Sequence, residues 1–309
     1  MRRLILLAVA SVIVALIGLV SVSDVGRGSA RAAGIGDASA SVRVGFVRNG
    51  SVYTVFPDGH GTTLVLKAHR YPNPNAVDYA EPAWSPDGQH LAVHANTYES
   101  HELRHIWVFD RNMRHVATFD SDLGAGGANP SWSPDGKRLA FGDFTGGWIY
   151  VATLATGRVR DLTTHWGTGP VDYTPSWSPR GTTIAFSRNA QLYLVQPNGK
   201  SLHRLSNQIA GAVNPAWSPD GAAIAFNDYH RIGVISANGR NLRYLLTSTK
   251  PPAWTPDGTM LAFLRYPAWS PDGTTIAYQR GKDIWLYRLA DKSSRLLVKN
   301  AADPTWTNG

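Results

Sequence analysis

The segment Pro215-Ala-Trp-Ser-Pro-Asp-Gly-Ala-Ala-Ile-Ala-Phe226 recurs along the whole chain, and this repetition constrains the fold more than any other feature. Six copies are nearly complete, with Trp84, Trp132, Trp177, Trp217, Trp254 and Trp269 at the tryptophan position; a seventh, partial copy surrounds Trp306. Self-similarity at a period of tens of residues belongs to repeat architectures, in which each unit buries its apolar face only against its neighbours. Within a copy, an extended run carries Pro-x-Trp, a Ser-Pro-Asp-Gly turn follows, and a second run such as Ile224-Ala-Phe226 leads on. Proline presets φ at the first central turn position, Asp tolerates the second, and Gly supplies the left-handed conformation that lets a hairpin continue. The residue between Pro and Trp is always small (Ala83, Ser131, Ser176, Ala216, Ala253, Ala268, Thr305), as expected where strands converge on a crowded axis.

Third and fourth strands follow most copies, for example Leu192 to Val195 and then His203 to Leu205. The Trp-to-Trp intervals of 48, 45, 40 and 37 residues suit four-stranded units of about 40. Only Trp254 and Trp269, 15 apart, break the rule, so the Trp254 unit has two strands and no outer pair. The stretch Val44 to Gly59 aligns with Ile184 to Gly199, so the described repeats begin on a second strand and finish, at Trp306, on a first strand. The expectation is an all-β β-propeller of six complete four-stranded blades plus one two-stranded half-blade, on a six- or seven-fold ring. Pairing of the C-terminal strand with the N-terminal strands closes it and removes the open edges.

With its Pro-x-Trp-Ser-Pro-Asp-Gly-x-x-Ile-Ala-Phe pattern, an Ile-Tyr-Val-like third strand and an Arg-Leu-Thr-like fourth, the chain resembles the TolB-type β-propeller family over residues 44 to 309. The resemblance implies the fold and leaves function open, because that repeat serves binding proteins, peptidase propeller domains and sugar lyases alike. It is read as the propeller alone, without the N-terminal domain of TolB or a peptidase domain. No Gly-x-Ser-x-Gly elbow occurs, so serine peptidase chemistry is not expected. The chain has no cysteine, which excludes disulfides, thiolate nucleophiles and cysteine zinc sites.

Residues 1 to 33 read as an export signal or an uncleaved membrane anchor: Arg2 and Arg3 precede a mostly apolar run from Leu4 to Val22, and Ala30-Arg31-Ala32 offers a small-x-small cleavage site. Residues 34 to 41 form a linker and 42 to 309 the propeller. The expected location is therefore outside the cytoplasm: periplasmic, cell-surface or secreted. The net charge of +8 falls to +5 on cleavage after Ala32, and the remaining basic residues form no run, so nucleic acid is not expected as a partner.

Function is sought where the repeats differ, on the face carrying the variable loops. Just before the Pro of each inner strand stand Glu81, Asn129, Thr174, Asn214 and Asp303, with Pro251 and Tyr266 at the odd unit; these are expected to ring the channel mouth. Trp166 with Tyr173, and Tyr71 with Tyr79, place aromatics in blade-to-blade loops where a sugar or peptide can stack. His90 and His94, four apart on one strand, lie about 13 Å apart and cannot share an ion. His94 and His105 are placed to meet across the hairpin, with His101 or Glu102. Asp120-Ser-Asp122-Leu-Gly124 faintly resembles a calcium loop but lacks the later acidic ligand. No catalytic residue, metal or cofactor is assigned. The leading expectation is an exported, monomeric, non-catalytic module recognising a protein or glycan of the cell envelope. The alternative is a carbohydrate-active enzyme, lyase-like, drawing acid–base groups from Glu81, Asp172 and Asp303 over the channel.

Overall fold

Each unit is organised by its turn, and the Trp84 unit shows how. Ser85 Oγ donates to Asp87 Oδ1 at 2.6 Å and accepts the His90 N–H at 2.9 Å, while the Gly88 N–H bonds back to the Ser85 carbonyl at 2.9 Å. The turn glycine sits at φ 66°. The same serine–aspartate clasp recurs at Ser133/Asp135, Ser218/Asp220 and Ser270/Asp272. Turn chemistry thus fixes the register of the innermost strand pair in unit after unit.

The computed structural model describes residues 19–21, 42–69, 76–98, 102–120, 127–143, 147–163, 171–209, 211–262 and 264–307. Among them the chain is all-β, with six four-stranded antiparallel blades. The Trp84 blade, for example, runs through Val77–Trp84, His90–Tyr98, Glu102–Asp110 and His115–Phe119 from the inside outward. The ring closes as expected: Ala302–Trp306 pairs with Val44–Arg48, which continues into Ser51–Val55 and Thr63–Leu66.

The odd unit is resolved by its contacts. Its hairpin, Ala253–Trp254 with Met260–Ala262, lies between the inner strands Val213–Trp217 and Arg265–Trp269. Trp254 Nε1 donates to the Ala216 carbonyl at 3.0 Å, and Trp269 Nε1 to the Ala253 carbonyl at 3.1 Å. The hairpin is therefore intercalated in the ring as a half-blade of its own rather than laid over it. Leu19–Ser21, within the segment read as an export signal, pairs antiparallel with Met260–Ala262, giving this sheet a third strand. Among the described residues no helix is long and apolar enough to cross a membrane.

The core lies between blades, as the repeat demands. Phe141, Phe186 and Phe226, nine residues beyond their tryptophans, are wholly buried, and Val93 fills the same place in the Trp84 blade. One cluster joins Ala92, Ile106 and Phe119 of the Trp84 blade to Trp132, Phe141 and Tyr150 of the next. Another joins Leu192 and Leu205 to Ile224 and Phe226. Burying a side chain of this size contributes about 1.5–3 kcal/mol, so the stability of the ring resides mainly in these interblade layers.

Candidate functional site: the channel mouth

Pro82, Pro130, Pro175, Pro215, Pro252, Pro267 and Pro304 each lie on an inner strand or its lead-in, and all seven line a single cavity of about 410 Å³. The residues preceding them complete the lining: Glu81, Asn129, Thr174, Asn214, Pro251, Tyr266 and Asp303. The half-blade contributes through Pro251 and Pro252, so the mouth has seven contributors although only six blades are complete.

Six of these pre-proline residues share a backbone feature that the sequence reading missed. Glu81, Asn129, Thr174, Asn214, Tyr266 and Asp303 all have φ between 49° and 53°. Every corresponding strand pair slips register there, as between Ala80 and Ala83 or between Tyr173 and Ser176. Each of these six inner strands thus carries a β-bulge at its X-Pro step: proline offers no N–H to the ladder, its ring disfavours the right-handed region for the residue before it, and the bulge re-aims that residue. Left-handed backbone in Glu, Thr and Tyr costs of order 1–3 kcal/mol each, and it persists here because the surrounding sheet determines it. The available signal was the Asn or Asp before Pro at three of the six steps, residues that tolerate this conformation.

The acidic sector of the mouth is the most connected. Glu81 Oε2 accepts the Asn129 N–H at 2.6 Å, and the Glu81 N–H reaches Asp303 Oδ2 at 3.4 Å, so three consecutive inner strands are laced together. His94 Nδ1 stands 3.9 Å from Glu81 Oε2. Burial pushes the Glu81 carboxyl above the ordinary glutamate range; the Asp303 charge adds to the rise, and the Asn129 N–H and Arg104 oppose it. The Glu81 side chain nevertheless keeps 34 % of its surface exposed. Tyr266 is also exposed and offers an aromatic face and a hydroxyl at the same mouth.

Other predicted residues go elsewhere. His94 pairs in register with Ile106, and His105 with Ala95, so the two histidines point to opposite faces of one sheet and do not meet. His94 is buried beside Glu81, whereas His105 bonds to Asp120 Oδ1 at 2.5 Å and Thr97 Oγ1 at 3.1 Å. Tyr79 is not a loop aromatic: it lies on the inner strand, buried against Trp107 and Phe109. Tyr173 is exposed but lies outside the mouth lining. Asp172 is wholly buried and held in a two-pronged pair with Arg188, at 2.7 Å on each oxygen, which takes it out of the acid–base set. Trp166, Tyr71, His101 and Asp122 lie outside the described residues. Among the described residues no three His, Asp or Glu side chains gather as metal ligands do.

A family model described as a TolB beta propeller domain matches residues 74–266. No curated protein matches the chain at the level of sequence. Among solved structures, TolB from Acinetobacter baumannii is 20 % identical with a TM-score of 0.57, over 88 % of this chain and 67 % of that one. A putative TolB from Agrobacterium tumefaciens is 20 % identical with a TM-score of 0.54, over 73 % and 86 %. A chain of the nidogen/laminin complex is 11 % identical with a TM-score of 0.58, over 86 % and 98 %. At these identities the likeness is one of fold.

Proposed function

The chain belongs to the TolB beta propeller domain family, and we propose that it is an exported binding module that recognises a protein or glycan of the cell envelope through its variable-loop face and channel mouth. The observation that carries this reading is the convergence of seven X-Pro steps on one cavity, six of them bulged so that their side chains surround it. A rigid ring that accepts backbone strain at six equivalent positions of a single cavity is pre-organised there, and pre-organisation lowers the ordering cost of association.

The chemistry of the mouth narrows the partner. Glu81 and Asp303 make one side acidic, Asn129, Thr174 and Asn214 offer neutral hydrogen-bonding groups, and the prolines with Tyr266 supply apolar contact. This suits a segment with a basic or hydrogen-bond-donating group beside an apolar one. Export is supported by the charged start and apolar run of residues 1–33.

The test is capture of binding partners from an envelope extract by the wild-type chain and by Tyr266→Ala, Glu81→Lys and Asp303→Lys variants. Tyr266→Ala is expected to leave the fold intact, because the ring is exposed, and to weaken capture by about tenfold. Retention of every captured partner by all three variants would refute the mouth as the binding site. Cleavage of an acidic polysaccharide by the wild type, lost in Glu81→Gln, would replace binding by catalysis.

A further inference from the structure

The turn that departs from the repeat marks a second site, on the opposite face of the ring. Five turns carry Asp after Ser/Thr-Pro: Asp87, Asp135, Asp220, Asp257 and Asp272. The Trp177 unit carries Arg180 instead. That exchange removes the clasp made elsewhere by serine and aspartate, leaving Ser178 Oγ only the Thr183 N–H at 3.1 Å among its described bonds.

Beside this turn lies a groove of about 540 Å³ between the Trp132 and Trp177 blades, lined by the turn's Gly181 and Thr182. One wall is a row across the Trp132 sheet. Arg138 pairs with Thr153 and Thr153 with Arg158, while Arg160 pairs with Val151, so three arginines share one face. Arg138 stacks its guanidinium 4.8 Å from the Trp177 ring, and Arg160 Nη1 reaches the Asn198 carbonyl at 3.3 Å. The other wall is the Arg180 turn at Gly181 and Thr182, with Gln196 and Asn198 of the next turn. No carboxylate lines the groove. Among the described residues Arg138, Arg158 and Arg160 form no ion pair within 4.0 Å, and the carboxylate that acts on Arg138, Asp135, stands outside the groove lining.

We propose that this groove binds an acidic oligosaccharide. Guanidinium forks match carboxylate, sulfate and phosphate oxygens in paired hydrogen bonds, and the Thr, Asn and Gln groups of the walls suit sugar hydroxyls. The site is independent of the channel mouth. These arginines are spread along the sequence, and only the pairing of three strands and the neighbouring turn assembles them.

The experiment is titration of the full chain with hexagalacturonate, a heparin-derived hexasaccharide, a neutral maltohexaose, inorganic phosphate and a hexameric oligodeoxynucleotide. Either acidic hexasaccharide is expected to bind, more weakly as salt rises, while maltohexaose does not; which of the two binds more tightly identifies the acid group. The pair Arg158→Glu and Arg160→Glu is expected to weaken binding at least about tenfold. Arg180→Asp, at a side chain that does not line the groove, is expected to raise the unfolding midpoint because it restores the turn clasp, while leaving most of the binding; unchanged unfolding midpoints for Arg158→Glu and Arg160→Glu separate lost binding from lost folding. The proposal is overturned if neither acidic hexasaccharide binds at low salt, if the Arg158→Glu and Arg160→Glu variants bind as the wild type does, or if phosphate alone or the oligodeoxynucleotide binds as tightly as the glycans.

Discussion

The indole of each repeat tryptophan reports on the small residue one blade earlier. Trp132, Trp254, Trp269 and Trp306 donate to the carbonyls of Ala83, Ala216, Ala253 and Ala268, at 2.9 to 3.1 Å. Where that residue is Ser131, Ser176 or Thr305, the indoles of Trp177, Trp217 and Trp84 are buried without a hydrogen-bond partner. Ser176→Ala is therefore expected to let Trp217 Nε1 reach the carbonyl and to stabilise the ring by about 0.5–1.5 kcal/mol in urea unfolding; a loss of stability would refute the explanation. Glu81 carries a prediction of opposite character. Its carboxyl binds a proton more tightly in the folded than in the unfolded chain, so its contribution to stability is complete below the ordinary glutamate pKa and is lost as pH rises through the raised folded value. Glu81→Gln is expected to flatten that decline, which begins above the ordinary glutamate pKa, in unfolding measured across pH. Asp87 and Asp135 act with the other sign: hydrogen bonds from Ser85 and Ser133 hold their carboxyls below the ordinary range, so their contribution is lost only in more acidic solution.

At the scale of the strand and turn, the buried pair Asp172–Arg188 holds the first two strands of the Trp177 blade together. Removing Arg188 strips the buried Asp172 carboxylate of its two-pronged guanidinium partner, so Arg188→Ala is expected to cost about 3–5 kcal/mol, measured by chemical unfolding. The difference between what was legible in the sequence and what was not also lies at this scale. Strand–turn–strand units, the two-stranded Trp254 unit and closure through Trp306 follow from turn chemistry and spacing, because those depend on neighbours in sequence. The bulge at each X-Pro step did not follow, since Glu81, Thr174 and Tyr266 are poor residues for left-handed backbone and adopt it only under the constraint of the finished sheet. The opposite faces of His94 and His105 were missed for a related reason. A one-residue difference in register exchanges the faces of a strand, and the register of the long hairpin His90–Tyr98 and Glu102–Asp110 is set by pairing rather than by composition. The groove arginines were invisible as a group because strand pairing, not sequence proximity, gathers them.

Over the whole molecule, the ring is a sum of interblade layers closed by one strand contributed from the far end of the chain. Deleting residues 302–309 is expected to leave Val44–Arg48 as an open inner edge and to abolish the single cooperative transition, read as early proteolysis and self-association in gel filtration. The half-blade adds a seventh contributor to the mouth, through Pro251 and Pro252, so the sequence irregularity at Trp254 bears directly on the proposed site. The most direct test of the account is the capture experiment with Tyr266→Ala, because that side chain is exposed and lines the mouth. Binding through the mouth predicts that the folded variant loses the partners held by the wild-type chain, by about tenfold in affinity; capture of the same partners at undiminished affinity would contradict it.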